Sequence, residues 1–157
     1  MTNDLIQVKI ENKKIVIEKV CEGETDNILR EGRHLTIVEA LWLMYSRNRK
    51  IVYNNRVLDV EDLLKIAKND FVWITFTVYN DLRNRGKKVD VVGDNLLLMH
   101  IGNRDIDVYI LEENNLVLLS RLIELIELSH RRGRDVIFAL VDKHGDVTYY
   151  STSPMTL

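Results

Sequence analysis

The sequence predicts a mixed α/β fold of the α+β kind, arranged as two small lobes, and three observations carry that expectation. Short apolar runs with strand-like alternation are interleaved with stretches in which apolar residues recur at helical spacing. With 157 residues, 46% of them apolar, the chain has material for one compact domain or two small ones. No Pro/Gly/Ser-rich linker or internal repeat appears, so the junction between lobes is expected inside regular structure. The expected division is residues 1–70 and 71–157.

Leu5–Ile10 and Lys14–Val20 alternate or are β-branched, and Glu11-Asn12-Lys13 between them makes a hairpin. The polar stretch Cys21–Gly32 reads as a loop. Thr36 then stands three residues before Glu39, the spacing of a capping box. Val38, Leu41, Trp42 and Tyr45 follow on one helical face, giving a helix to about Arg47. Ile51–Tyr53 is a short strand that Asn54-Asn55 returns toward Val57–Leu58. Asp59 opens a second helix over Val60–Lys68. Phe71–Arg85, aromatic at first and then periodic at Val78, Leu82 and Arg85, reads as a continuous helix holding the junction.

The second lobe is expected to contain strands at Lys88–Val92, Asn95–His100, Asp107–Leu111, Val136–Val141 and Val147–Thr152. Between the third and fourth lies an amphipathic helix over Leu116–Arg132, with Leu119, Leu122, Ile123 and Ile126 on its apolar stripe and Gly133 as its cap. A mixed sheet flanked by helices results.

Composition narrows the function. A net charge of −2 supplies no chain-wide positive field, so any nucleic-acid contact must be local. The longest apolar stretches fall well short of the roughly 20 residues that span a bilayer, and Asp4, Lys9 and Glu11 interrupt the N-terminal segment where a signal peptide would be apolar. A cytoplasmic protein with no membrane partner is expected. Cys21 is alone and reads as a partly buried structural thiol. The four histidines, His34, His100, His130 and His144, lack ligand spacing, so no metal and no cofactor are expected.

Two groups of segments resemble a known family. Gly32–Leu43, followed by Lys50-Ile51-Val52-Tyr53 and Val60-Glu61-Asp62-Leu63-Leu64, is similar to the N-terminal domain of archaeal-type tRNA-intron splicing endonucleases. Val78-Tyr79-Asn80-Asp81-Leu82-Arg83-Asn84-Arg85-Gly86, continuing through His130 to Val141-Asp142 and Gly145-Asp146-Val147-Thr148-Tyr149-Tyr150, is similar to their C-terminal, nuclease-like domain. The resemblance implies metal-independent cutting of precursor tRNA at a bulge–helix–bulge, leaving 2′,3′-cyclic phosphate and 5′-hydroxyl ends. That chemistry needs a base, an acid and a cation for the phosphorane charge. In active members a tyrosine, a histidine and a lysine take those roles.

Set against that pattern, the tyrosine position falls on Met99, which cannot exchange a proton. The histidine position falls in Gly102–Asp107, at Arg104, and the lysine position on Arg134, whose planar fork is a poor substitute for a compact ammonium. The resemblance therefore implies a non-catalytic, structural subunit of a heterotetramer. It would assemble with a paralogous catalytic chain and a second copy of the pair. Two other readings stay open: an active subunit with a rearranged site drawn from His100, Tyr109 and Arg134 or Lys143, and an RNA-binding scaffold unconnected with splicing.

Three surface features complete the expectation. Asp142-Lys143-His144-Gly145-Asp146 is by composition an ordinary hairpin tip; the resemblance makes it a loop that docks into a basic pocket of a neighbouring subunit through Asp142 and Asp146. Arg131, Arg132 and Arg134 either complement a helix C-terminus or contact RNA phosphates. Arg83, Arg85, Lys87 and Lys88 form a second basic cluster, and a phosphate role requires that the two share a face. Val147–Thr152, carrying Tyr149 and Tyr150, has no following strand and is expected at a sheet edge that a partner extends.

Overall fold

A computed structural model describes residues 5–20, 26, 28–67 and 70–152. Cys21, Lys68 and most of the segment around Cys21 lie outside the described residues. The chain divides into two compact units, Met1–Val72 and Trp73–Leu157.

In the first unit, strands β1 (Leu5–Glu11) and β2 (Lys14–Lys19) form the antiparallel hairpin, with Glu11 opposite Lys14. Asn12 and Lys13 both take positive φ, 50° and 63°, the twist that suits a two-residue hairpin turn. A two-residue strand β3 (His34–Leu35), too short to show alternation in the sequence, pairs with β2. Helix α1 (Ile37–Ser46) starts at the expected capping box: the Glu39 amide donates to Thr36 Oγ1 at 3.2 Å and the Thr36 amide to Glu39 Oε1 at 3.1 Å. The Glu39 carboxylate is buried and accepts from Arg33 Nη2 at 2.9 Å.

Strand β4 (Lys50–Tyr53) runs parallel to β1. Asn54 and Asn55, again at positive φ, return the chain to β5 (Arg56–Val57). Helix α2 (Val60–Ile66) has its own box, Asp59 with Asp62, and the amide of Asp59 is the main cause holding the Asp62 carboxyl below the usual carboxylate range. The sheet order is β3-β2-β1-β4-β5, and Ile6, Ile15, Ile17, Leu41, Leu43, Ile51 and Leu63 form its core.

The second unit follows from the helix α3 (Val72–Asn84), continuous as its spacing predicts. Strands β6 (Lys88–Gly93), β7 (Leu96–Ile101) and β8 (Arg104–Glu112) form an antiparallel meander. Helix α4 (Leu119–Arg131) crosses over to β9 (Asp135–Val141), parallel to β8, and β10 (Val147–Thr152) returns antiparallel, for a sheet order β10-β9-β8-β7-β6.

Two boundaries depart from expectation. Strand β8 begins at Arg104 rather than Asp107, because a tight turn at Gly102-Asn103 lets polar residues pair with the end of β7. Helix α4 begins at Leu119 rather than Leu116: no side chain at Leu118 caps it, and Leu116 and Leu118 stand exposed before it.

Strand alternation gives this sheet two distinct faces. One carries His100, Asp105, Asp107, Tyr109, Val136 and Phe138, and α4 lies on it, with Leu122, Leu125 and Ile126 against Tyr109, Val136 and Phe138. The other carries Val89, Leu97, Met99, Ile106 and Val108, all buried, and Tyr149. The Tyr149 hydroxyl donates to Asp81 of α3 at 2.6 Å; burial first, and then this bond, pushes its pKa up. Thr75 Oγ1 donates to the Asp94 carbonyl, fixing α3 at the β6–β7 turn. The sheet is thus mixed and flanked by helices, as the sequence predicts.

Candidate functional site

Met99, Arg104 and Arg134 do not converge. Met99 is 3% exposed and packs in the core. Met99 pairs with Ile106 and Arg104 with Ile101, so both sit on the face away from α4. There Arg104 reaches across to β9, its Nε donating to Asp135 Oδ2 at 2.9 Å. Arg134 turns to the α4 face instead. Its Nη1 donates to Asp107 Oδ1 at 3.2 Å.

Asp107 explains that turn. Its side chain is fully buried, and an unpaired carboxylate there would be costly. Ser129 Oγ donates to Asp107 Oδ2 at 2.6 Å, and the Tyr109 hydroxyl lies 3.0 Å from the same Ser129 oxygen. Arg134, Asp107, Ser129 and Tyr109 therefore form one hydrogen-bonded chain between α4 and the sheet. The arrangement satisfies a buried charge.

Sequence reasoning did not assemble the row beside it. His100 stands opposite Lys88 on one side and Asp105 on the other. Its Nε2 is 2.8 Å from Asp90 Oδ2 and its Nδ1 2.8 Å from Asp105 Oδ1. The bond to Asp90 first, then that to Asp105, raises its pKa, opposed by burial. The signal lay in the register: once Gly102-Asn103 is read as a two-residue turn, His100 and Asp105 fall opposite each other.

Of the alternative set of His100, Tyr109 and Arg134 or Lys143, Lys143 is not brought to the others, and Arg134 reaches Tyr109 only through Asp107 and Ser129. Tyr109 is buried against Ser129, and Lys143 lies beyond the far end of β9, roughly 20 Å of strand from its start.

The two basic clusters divide in the same way. Arg83 stacks over Tyr79 at 6.0 Å, and Arg85 pairs with Asp81 at 2.9 Å while lying 5.6 Å from the Tyr149 ring centre. Arg131 and Arg132 are exposed at the C-terminal end of α4, with no ion pair among the described residues.

At the opposite end of the sheet, the Asp142–Asp146 loop is shaped by its own first residue. Asp142 Oδ1 accepts from the amides of His144 at 2.8 Å and Asp146 at 2.9 Å, and those amides, Asp146 first, hold its carboxyl below the usual range. Gly145, at φ 84°, completes the turn, and the Lys143 amide donates to Glu113 Oε2 at 2.9 Å. The Asp146 carboxylate is exposed and has no side-chain partner among the described residues. Strand β10 pairs only with β9, so its outer edge is open among the described residues, with Tyr150 53% exposed. No helix among those residues is long and apolar enough to cross a membrane.

Residues 72–149, from α3 into β10, match the family model described as tRNA intron endonuclease, catalytic C-terminal domain. Residues 72–149 place the second unit in the tRNA intron endonuclease family. Among similar proteins, the tRNA-splicing endonuclease of Pyrococcus horikoshii is 29% identical over 124 residues, 74% of this chain and 72% of that protein. That of Thermococcus gammatolerans is 28% identical over 131 residues, 78% of each. That of Methanococcus vannielii is 27% identical over 173 aligned positions, 97% of this chain and 96% of that protein. The family match includes Met99, Arg104, Arg134 and the whole Asp142–Asp146 loop, and it begins at Val72, the last residue of the first unit.

Proposed function

We propose that this chain is the structural, non-catalytic subunit of a tRNA-splicing endonuclease, with residues 1–70 as its N-terminal family domain and residues 71–157 as its nuclease-like one. A paralogous partner supplies the reacting groups, and two such pairs make the working heterotetramer in the cytoplasm. The complex cuts precursor tRNA at bulge–helix–bulge sites. In that reaction the 2′-hydroxyl oxygen attacks phosphorus while losing its proton to a base. The 5′ oxygen leaves with a proton from an acid, giving a 2′,3′-cyclic phosphate and a 5′-hydroxyl.

The observation that carries this reading is the engagement of Arg134 by the buried Asp107, with Met99 in the core. A cation already neutralised by a buried carboxylate is poorly placed to stabilise phosphorane charge. Asp146 is the charge available for docking, and the open edge of β10 is where a partner sheet can continue.

Mixing tests this directly. Neither this chain nor its catalytic paralogue, each purified alone, should match the metal-free cutting of precursor tRNA by the two together. Turnover by this chain alone, lost in His100→Ala, would replace the proposal with a rearranged active site. Formation of no complex, with RNA bound but never cut, would replace it with an RNA-binding scaffold.

A further inference from the structure

We infer that one end of the second unit's sheet is a phosphate-tracking strip for a single RNA backbone, running from Lys88 across His100 to Arg131 and Arg132. The inference rests on the proposal above for its choice of RNA, but its geometry is independent of it. Both basic clusters flank strand starts. Lys88 opens β6 and stands opposite His100 at the end of β7. His100 stands opposite Asp105, near the start of β8, and the parallel start of β9 lies beside it, with Ile106 opposite Asp135. Helix α4 ends over that same corner and delivers Arg131 and Arg132 to it. Lys88, His100 and α4 share one face of the sheet by alternation, so Lys88 of the first cluster lies on one face and at one end with Arg131 and Arg132, while Arg85 stays with Asp81 and Tyr149 on the other face.

Charge accounting favours an anion there. On the α4 face at this end the permanent cations Lys88, Arg131, Arg132 and Arg134 outnumber the carboxylates Asp90, Asp105 and Asp107, and Arg104 and Asp135 pair off on the other face. Each carboxylate is already bound: Asp107 to Arg134, Asp135 to Arg104, and Asp90 and Asp105 to the two nitrogens of His100. Lys88, Arg131 and Arg132 are exposed, and no ion pair joins them among the described residues. Crossing from β6 to β9 spans three strand spacings, roughly 14 Å. Arg134, counted with Arg131 and Arg132 in the sequence, drops out of the contact set because Asp107 holds it.

The recognition is of backbone charge, so it positions RNA without reading bases. The test is a salt series on the full chain alone, titrated with precursor tRNA. The slope of log affinity against log salt should fall in magnitude by about 0.7–0.9 for Lys88→Ala and by about twice that for Arg131→Ala with Arg132→Ala, the triple variant giving the sum. Arg104→Ala, which removes an exposed cation on the other face, should leave the slope unchanged. An unaltered slope in Lys88→Ala, no binding by the chain in low salt, or an equal effect of Arg104→Ala would each overturn the strip. Because no partner chain is present, these outcomes are separate from the mixing experiment: the strip can fail while the structural subunit stands, and the reverse.

Discussion

The two ends of the second unit's sheet treat their charged residues by opposite means. At the end where β8 and β9 begin, a carboxylate is buried and a cation is brought to it: Asp107 draws Arg134 inward, and Ser129 and Tyr109 complete the set. At the other end, where the Asp142–Asp146 loop turns, the carboxylate of Asp142 is held by backbone amides and needs no cation at all. The first solution consumes the side chain of Arg134. The second leaves its neighbour, Asp146, exposed and without a side-chain partner among the described residues. A charge engaged within the unit serves the fold, and function has to be sought among the charges left over.

The sharpest way to break that comparison is to remove Arg134. Arg134→Ala leaves Asp107 as an uncompensated buried charge and should cost about 3–5 kcal/mol of stability, read from urea unfolding. Replacing the pair together, Asp107→Leu with Arg134→Met, should recover most of that loss, since a buried pair often does no better than well-packed apolar groups. Cutting by the assembled complex, measured well below the unfolding temperature, should survive Arg134→Ala. A protein that keeps its stability but loses cutting by the complex would return Arg134 to catalysis.

Next in size is the loop. Asp146→Ala should weaken assembly with the catalytic chain by at least roughly tenfold, as expected for truncating one partner of a desolvated charge pair, while leaving the unfolding curve unchanged. Asp142→Ala should also weaken assembly, but through the turn: without the acceptor for the His144 and Asp146 amides, the loop loses its shape and the hairpin its order. Sedimentation of the mixed chains separates the two, because Asp142→Asn, which keeps an acceptor oxygen, should rescue much of the first defect, whereas Asp146→Asn should rescue little. Equal rescue at both positions would return the loop to a plain hairpin tip.

Much of the fold was legible because local chemistry announces it. The Thr36–Glu39 box, the helix start after Asp59, the turns within Glu11-Asn12-Lys13 and at Asn54-Asn55 and the stripe of α4 each rest on residues within a few positions of one another. What was not legible depends on pairing. The strand β3 is two residues long and shows no alternation, and Arg104-Asp105 looks like loop until a register makes it strand. The site follows the same rule. Met99, Arg104 and Arg134 were named as positions, but which face each takes follows from the sheet. The burial of Asp107 depends on Ser129 and Arg134, 22 and 27 residues away. His100 was noticed as a stray residue; its two carboxylates come from different strands.

The smallest expected effect tests that histidine. Asp90 and Asp105 both favour the protonated ring, so the pKa of His100 in the folded chain lies above the unfolded reference of 6.5. The folded state then binds the proton more tightly than the unfolded state, and stability falls as pH rises wherever the two differ. The stabilisation is fully present below about pH 6.5 and disappears as pH climbs through the raised folded value. Because the ring is a third exposed and its partners more so, screening keeps the effect modest. The informative quantity is a difference between variants. His100→Gln should flatten the decline of the urea midpoint above about pH 6.5. Asp90→Asn should remove the larger part of the decline and Asp105→Asn the smaller, in the order in which the two bonds raise the pKa. A midpoint that declines as steeply in His100→Gln as in the native chain would mean that the row across β6, β7 and β8 is held by backbone pairing alone.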